Sequence, residues 1–246
     1  MKYLKKYRLF ESVNEQEIHE LCKKYGISNY TINNEGSIDV DGDINLYNKG
    51  LTKLPLLFRN VSGNFYCDNN QLTSLEGAPS QVGDNFWCDN NQLTSLEGAP
   101  SQVGGDFSCR NNTRGIFSNN LTSLEGAPSQ IGGDFWCSNN NLMSLEGAPS
   151  VGGDFFCHDN NLTSLEGLEW KSFNKIYLNN NPVFEIVKDW INRDELIEYF
   201  IDMNVVQDGN DKPKLIIPRL EAFHEEMNLK LNINFKGVKK YYEIIN

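Results

Sequence analysis

Apolar residues recur along the middle of the chain in a fixed frame. Aligned on the aromatic that precedes each cysteine, the sequence reads FYC at Phe65, FWC at Phe86, FSC at Phe107, FWC at Phe135 and FFC at Phe155. The successive offsets are 21, 21, 28 and 20 residues, and the frame extends back to INL at Ile44 and forward to IYL at Ile176. Within a unit the apolar positions fall at Phe86, Cys88, Leu93 and Leu96, with Asn91 between the two halves. Period-two alternation at Phe86-Trp87-Cys88 predicts a short strand with Phe and Cys inward and Trp outward. The following EGAPSQVGGD is too rich in Gly and Pro for a helix and predicts turns and extended chain. One such unit cannot bury its leucines alone, whereas a stack can, so the period predicts a solenoid.

The flanks leave this frame. Residues 14–26, NEQEIHELCKKYG, carry Ile18, Leu21 and Cys22 on one helical face and Gly26 as a stop. YTINNEGSIDVDGDINL then alternates around turn signals at Asn34-Glu35-Gly36 and Asp41-Gly42, which predicts hairpins leading into the first coil. After the repeats, segments near 184–190 and 193–203 read as helical, KPKLIIP as extended, RLEAFHEEMNL as helical, and KKYYEII as a short strand or helix. The expected organisation is an N-terminal helical and hairpin cap over 1–43, about seven coils over 44–183, and a C-terminal α+β cap over 184–246.

The unit F-x-C-x-x-N-x-L-x-x-L resembles the leucine-rich-repeat consensus L-x-L-x-x-N-x-L, with Phe and Cys in place of the strand leucines. The likeness covers roughly residues 44–183, and five near-identical copies of NNxLTSLEGAPS make it specific. It implies a leucine-rich-repeat solenoid of the short bacterial type, with a parallel β-sheet on the concave side and an extended convex side. It also implies that the asparagine ties neighbouring coils together, a role falling on Asn70, Asn91, Asn112, Asn140, Asn160 and Asn181. The wording of the repeat is similar to that of uncharacterised proteins of large tailed phages and some bacteria. That likeness implies no activity.

One coil is longer by seven residues, read as an insertion at 113–119, TRGIFSN. Insertions in a repeat emerge as surface loops, and Arg114 and Phe117 make this one a binding candidate; folding back onto the convex side is the plainer alternative.

Composition narrows the function classes. The 246 residues leave little room for a separate catalytic domain, and 33 acidic against 22 basic residues give a formal charge of -11, which repels phosphate backbones and favours basic partners. Nucleic acid is therefore not expected as a partner. No apolar run reaches the roughly 20 residues of a membrane span, and the start lacks the apolar core of a signal peptide, so a cytoplasmic protein is expected. MKYLKKYRLF is basic and aromatic enough for a docking peptide, although a loosely ordered tail is the simpler reading.

Candidate chemistry is sparse. Cys67, Cys88, Cys109, Cys137 and Cys157 stand in register facing the interior, where a free thiol acts as a small hydrophobe; no CxxC or HxxxH pair supports a metal site. His19, His158 and His224 are far apart with no nucleophile elbow nearby. DVDGD at Asp39–Asp43 begins like a calcium loop but lacks the bidentate downstream Glu. Neither a catalytic residue, a metal nor a cofactor is expected. The glutamates of LEGA, Glu76, Glu97, Glu125, Glu146 and Glu166, form a column of like charge suited to a solvated edge or to a basic partner.

The outward strand positions are more informative. They read Asn45, Tyr66, Trp87, Ser108, Trp136, Phe156 and Tyr177, an aromatic ladder flanked by Asp89, Arg110 and His158 among other polar residues. Exposed aromatics mark interaction surfaces unless they merely pack on one another. The leading expectation is a non-catalytic scaffold gripping a protein partner on this face through Tyr66, Trp87, Asp89, Arg110, Arg114, Phe117, Trp136, Phe156, His158 and Tyr177. The phage-like wording suggests a host factor, such as a defence protein being blocked. A carbohydrate-binding module using the same ladder, and an effector-like enzyme with activity after residue 184, stand as alternatives.

Overall fold

The computed structural model describes residues 14–111, 118–168, 173–191, 199–203, 205–207, 211–231, 233 and 235–246. Helix α1 (Glu15–Tyr25) opens the described chain, with Asn14 Oδ1 accepting the Glu17 amide at 2.9 Å and Gly26 ending it at φ 69°. Its buried face, Ile18 and Cys22, joins the main core. A hairpin of β1 (Tyr30–Ile32) and β2 (Ile38–Val40) turns at the expected Asn-Glu-Gly. The second turn signal, Asp41-Gly42, makes a solenoid corner instead of a hairpin, because β2 pairs in parallel with the next coil.

Each coil then contributes a strand to two sheets. The first sheet continues through β4 (Phe58–Val61), β6 (Gln81–Val82), β8 (Gln102–Val103), β10 (Gln130–Ile131) and β12 (Ser150–Val151). The second consists of β3 (Ile44–Asn45), β5 (Phe65–Tyr66), β7 (Phe86–Trp87), β9 (Phe107–Ser108), β11 (Phe135–Trp136), β13 (Phe155–Phe156) and β14 (Ile176–Tyr177). The second sheet is parallel throughout, and the first is parallel from β2 onward. The chain is thus a parallel β-solenoid with a sheet on each side, where sequence pattern suggested one sheet backed by turns. Its interior holds the expected column of rings, with Phe65, Phe86 and Phe107 stacked at 5.2 and 5.3 Å and nearly parallel. Each is fully buried, worth about 1.5–3 kcal/mol apiece.

Two polar residues, in most coils both asparagine, divide the work of closing each turn. The first, as at Asn69, Asn90, Asn139 and Asn180, adopts φ between 50° and 59°, a left-handed conformation that asparagine tolerates. The second is buried and bridges coils. Asn91 Oδ1 accepts the Leu72 amide at 3.0 Å, and its Nδ2 donates to the carbonyls of Cys67 and Cys88, both at 3.1 Å. Asn70, Asn140, Asn160 and Asn181 bond in the same way.

In the long coil this place belongs to Asn119, not Asn112, which lies outside the described residues. Asn119 Oδ1 accepts the Leu93 amide, and Nδ2 donates to the carbonyls of Cys88 and Cys109 at 3.1 and 3.0 Å. The extra residues are therefore 112–118, one earlier than spacing suggested, and Asn111 and Asn119 clamp their ends. Asn111 Oδ1 accepts the Asn119 amide, and its Nδ2 donates to the Asn119 carbonyl at 2.7 Å.

A glycine column fixes the opposite corner. A Cβ at Gly83, Gly104 or Gly132 would fall 2.0–2.1 Å from a carbonyl oxygen of the preceding coil. Beyond the coils, α2 (Phe184–Val187), β15 (Val206–Gln207), β16 (Lys214–Ile216), α3 (Ile217–Glu226), α4 (Phe235–Val238) and β17 (Glu243–Ile245) follow. Trp190, Phe200 and Phe223 pack together there, and the Tyr242 hydroxyl donates to the Thr163 carbonyl at 2.7 Å. Most of the segment expected to be helical at 193–203 lies outside the described residues.

Replacing Asn119 with Ala leaves the buried Leu93 amide without its acceptor, at about 1–3 kcal/mol, removes one of two side-chain donors from each of the Cys88 and Cys109 carbonyls, and empties a fully packed turn. Asn119→Ala should lower urea-unfolding stability by several kcal/mol, whereas the exposed Asn120→Ala should change it by no more than about 0.5 kcal/mol. Equal effects of the two would sink the assignment of the bridging position.

Candidate functional site

The second sheet sets its outward side chains in a line because its strands pair without register shift. Tyr66 lies opposite Trp87, Trp87 and Trp136 both lie opposite Ser108, and Phe156 lies between Trp136 and Tyr177. The rings divide into two groups. Tyr66 meets Trp87 edge-on at 5.1 Å and 72°, whereas Trp136, Phe156 and Tyr177 stack face to face at 3.7 and 4.5 Å. Trp87 is 39% exposed, and the other four rings are half-buried.

Between the groups sits Ser108, buried under its neighbours. Its hydroxyl donates to Asp89 Oδ1 at 2.6 Å, while the Arg110 Nε stands 3.5 Å from Asp89 Oδ2. The Arg110 guanidinium also covers the Trp136 ring, 4.7 Å from its centroid. Ser108, Asp89, Arg110 and Trp136 thus form one cluster across three coils. Burial pushes the Asp89 carboxyl up to about 6 despite Ser108 and Arg110, with the neighbouring Asp68 adding to the rise. Asp68 is also raised by burial; its Oδ2 accepts from Asn69, and its Oδ1 has no hydrogen-bond partner among the described residues.

Other polar residues beside the rings hold the scaffold. Asn64, Asn85, Asp106 and Asp134 each accept the backbone amide of the equivalent residue one coil on, at 2.7–3.2 Å. The polar residues flanking the ladder are therefore partly structural. At the far end, His158 Nδ1 lies 2.6 Å from Asp159 Oδ2, which holds that carboxyl below its ordinary range.

The eight candidates Tyr66, Trp87, Asp89, Arg110, Trp136, Phe156, His158 and Tyr177 share this one sheet. Arg114 and Phe117 lie outside the described residues. A groove of about 980 Å³ runs along the other sheet, past Gln81, Gln102, Gln130 and the glycine column. The physical cause is that glycine leaves that corner bare, whereas aromatic side chains fill the surface opposite. Sequence reading also missed the Ser108–Asp89 bond, which needs the coil register, and Asn119. Counting back from Leu121, instead of forward from Cys109, would have found Asn119.

The six cysteines are free and buried, and burial raises all their thiols. Among the described residues no group of three or more His, Cys, Asp or Glu is arranged to hold a metal ion, and no helix is long and apolar enough to cross a membrane. Compared with protein-family models, with curated proteins and with solved structures, the chain matches none.

The raised Asp89 carboxyl has a stability consequence with a defined sign. A free aspartate titrates near pH 3.9, so the folded state holds this proton more tightly than the unfolded one. The contribution is then most favourable below about pH 4 and is lost as pH rises toward 6. The unfolding free energy of the native chain minus that of Asp89→Asn should fall across this window by at most about 1.4 kcal/mol per pH unit, then level off. A difference independent of pH in urea titrations would remove the argument.

Proposed function

We propose that this chain is a non-catalytic binding scaffold of the short leucine-rich-repeat type, engaging a protein partner through the sheet that carries Tyr66, Trp87, Trp136, Phe156 and Tyr177. The buried asparagine ladder supports the repeat type, since each amide ties two coils through backbone groups. On this reading α1 and the segment after residue 184 serve as caps that shield the ends of the stack.

The observation that carries the binding reading is the Tyr66–Trp87 half of the ladder. Trp87 holds 39% of its surface in water beside two carboxylates that are themselves poorly hydrated, an arrangement that gains by being covered. The overall charge of -11 favours a partner with basic anchors. The phage-like wording of the repeat makes a host protein, such as a defence factor, the partner class to examine first.

A sugar platform is less well supported by the same face. Stacking on a pyranose needs a free ring face, and the faces between Trp136, Phe156 and Tyr177 are already covered by one another.

The chain and a folded Trp87→Ala/Trp136→Ala variant should differ in capture of a host protein from lysate, with at least a tenfold loss in the variant. Gln102→Ala, on the opposite sheet, should retain capture. Equal recovery by native chain and double variant would exclude this face.

A further inference from the structure

The aromatic sheet already binds one guanidinium, its own. Arg110 lies over the Trp136 ring at 4.7 Å and beside Asp89 at 3.5 Å, so a planar cation is held between an indole face and a carboxylate. Strand register shows why Arg110 reaches Trp136. It follows Ser108, the residue opposite Trp136, by two positions and so lies diagonally from the ring on the same face.

The same diagonal occurs earlier in the stack with the opposite charge. Tyr66 is opposite Trp87, and Asp68 follows Tyr66 by two positions. Asp68 therefore stands to Trp87 as Arg110 stands to Trp136, except that a carboxylate replaces the guanidinium. Asp68 is 7% exposed, and its Oδ1 is buried without any hydrogen-bond partner among the described residues. A buried carboxylate oxygen with no donor is costly, and Arg110 is engaged with Asp89 next door. The row Asp68, Asp89, Arg110 thus carries one negative charge too many, beside the most exposed ring of the ladder.

We propose that Trp87 and Asp68, with Tyr66 as the adjoining wall, form a receptor for an arginine side chain presented by the protein partner. The inference rests on the scaffold reading above and names the anchor that reading requires. A guanidinium stacks flat on the indole and supplies the N–H donors that Asp68 Oδ1 lacks. An ammonium is more strongly hydrated and does not stack, so lysine is the weaker guest. The indole moves to admit the guest, since the carboxylate oxygen is covered in the free chain.

The full chain would be titrated with acetyl-Gly-Arg-Gly-amide and acetyl-Gly-Lys-Gly-amide while the tryptophan indole N–H resonances are followed by NMR, with Trp87 assigned through Trp87→Phe. The arginine peptide should shift the Trp87 signal saturably in the millimolar range, with at least fivefold weaker response to lysine. Asp68→Asn should reduce that preference to less than twofold. Arg110→Ala, which vacates the place over Trp136, should add a second saturable shift at Trp136. An unmoved Trp87 signal, or equal response to both peptides, overturns the arginine receptor. Outcomes for the two readings are separable. Partner capture that needs the tryptophans while Trp87 ignores the arginine peptide keeps the scaffold and removes this site. A peptide response without tryptophan-dependent capture keeps the site and removes the scaffold.

Discussion

The buried asparagine amide sets the terms on which successive coils can meet. At Asn91 one side chain accepts from Leu72 and donates to Cys67 and Cys88, so backbone groups that turn away from both sheets are still paired. Without it, the interior edge of each turn would hold unpaired carbonyls in an apolar core of Phe, Cys and Leu. This fixes both chain path and spacing. The left-handed residue before it bends the chain, and the leucines two and five positions after it drop into the core.

Close spacing then limits what other positions can be. At the corner of the first sheet, successive coils approach so closely that a Cβ at Gly104 would overlap the Gly83 carbonyl. That face is consequently bare and grooved, lined by a glutamine row in which Gln81 donates to Gln102 and Gln102 to Gln130. The second sheet has no such restriction on its outward positions and carries the large rings. The two faces differ in chemistry because the two corners differ in clearance. A uniform repeat therefore presents an amide face on one side and an aromatic face on the other.

The sequence revealed the period, the inward Phe, Cys and Leu columns and the outward ladder, because strand alternation and an exact frame leave little freedom for them. The first sheet was not legible. Its strands β6, β8 and β10 are two residues long, QV or QI followed by glycine, and such pieces become strands only when stacked. The groove along the first sheet was equally hidden, since clearance at Gly83 and Gly104 depends on coil-to-coil distance rather than on residue type. The position of the insertion failed for a simpler reason. Two asparagine pairs flank it, Asn111-Asn112 and Asn119-Asn120, and spacing from Cys109 selects the first. Bridging also demands that Leu121 follow two residues later, as Leu93 follows Asn91, and this selects Asn119.

The largest departures from the repeat gather in one coil. Between Phe107 and Leu121 the aromatic is replaced by Ser108, the following acidic position by Arg110, and the turn is lengthened by residues 112–118. These changes are coupled physically. A small residue at 108 opens space between Trp87 and Trp136, and the Arg110 side chain enters it to cover the Trp136 ring. Its charge also offsets the cost of burying Asp89, which Ser108 bonds from beneath. Asn111 keeps the backbone bond of the regular turn, its amide donating to the Ser138 carbonyl, while its side chain braces Asn119. A neutral slip of the repeat would be expected to alter one position. Here the substituted face residues support one another, so the aromatic sheet is divided at Ser108 into two groups of rings.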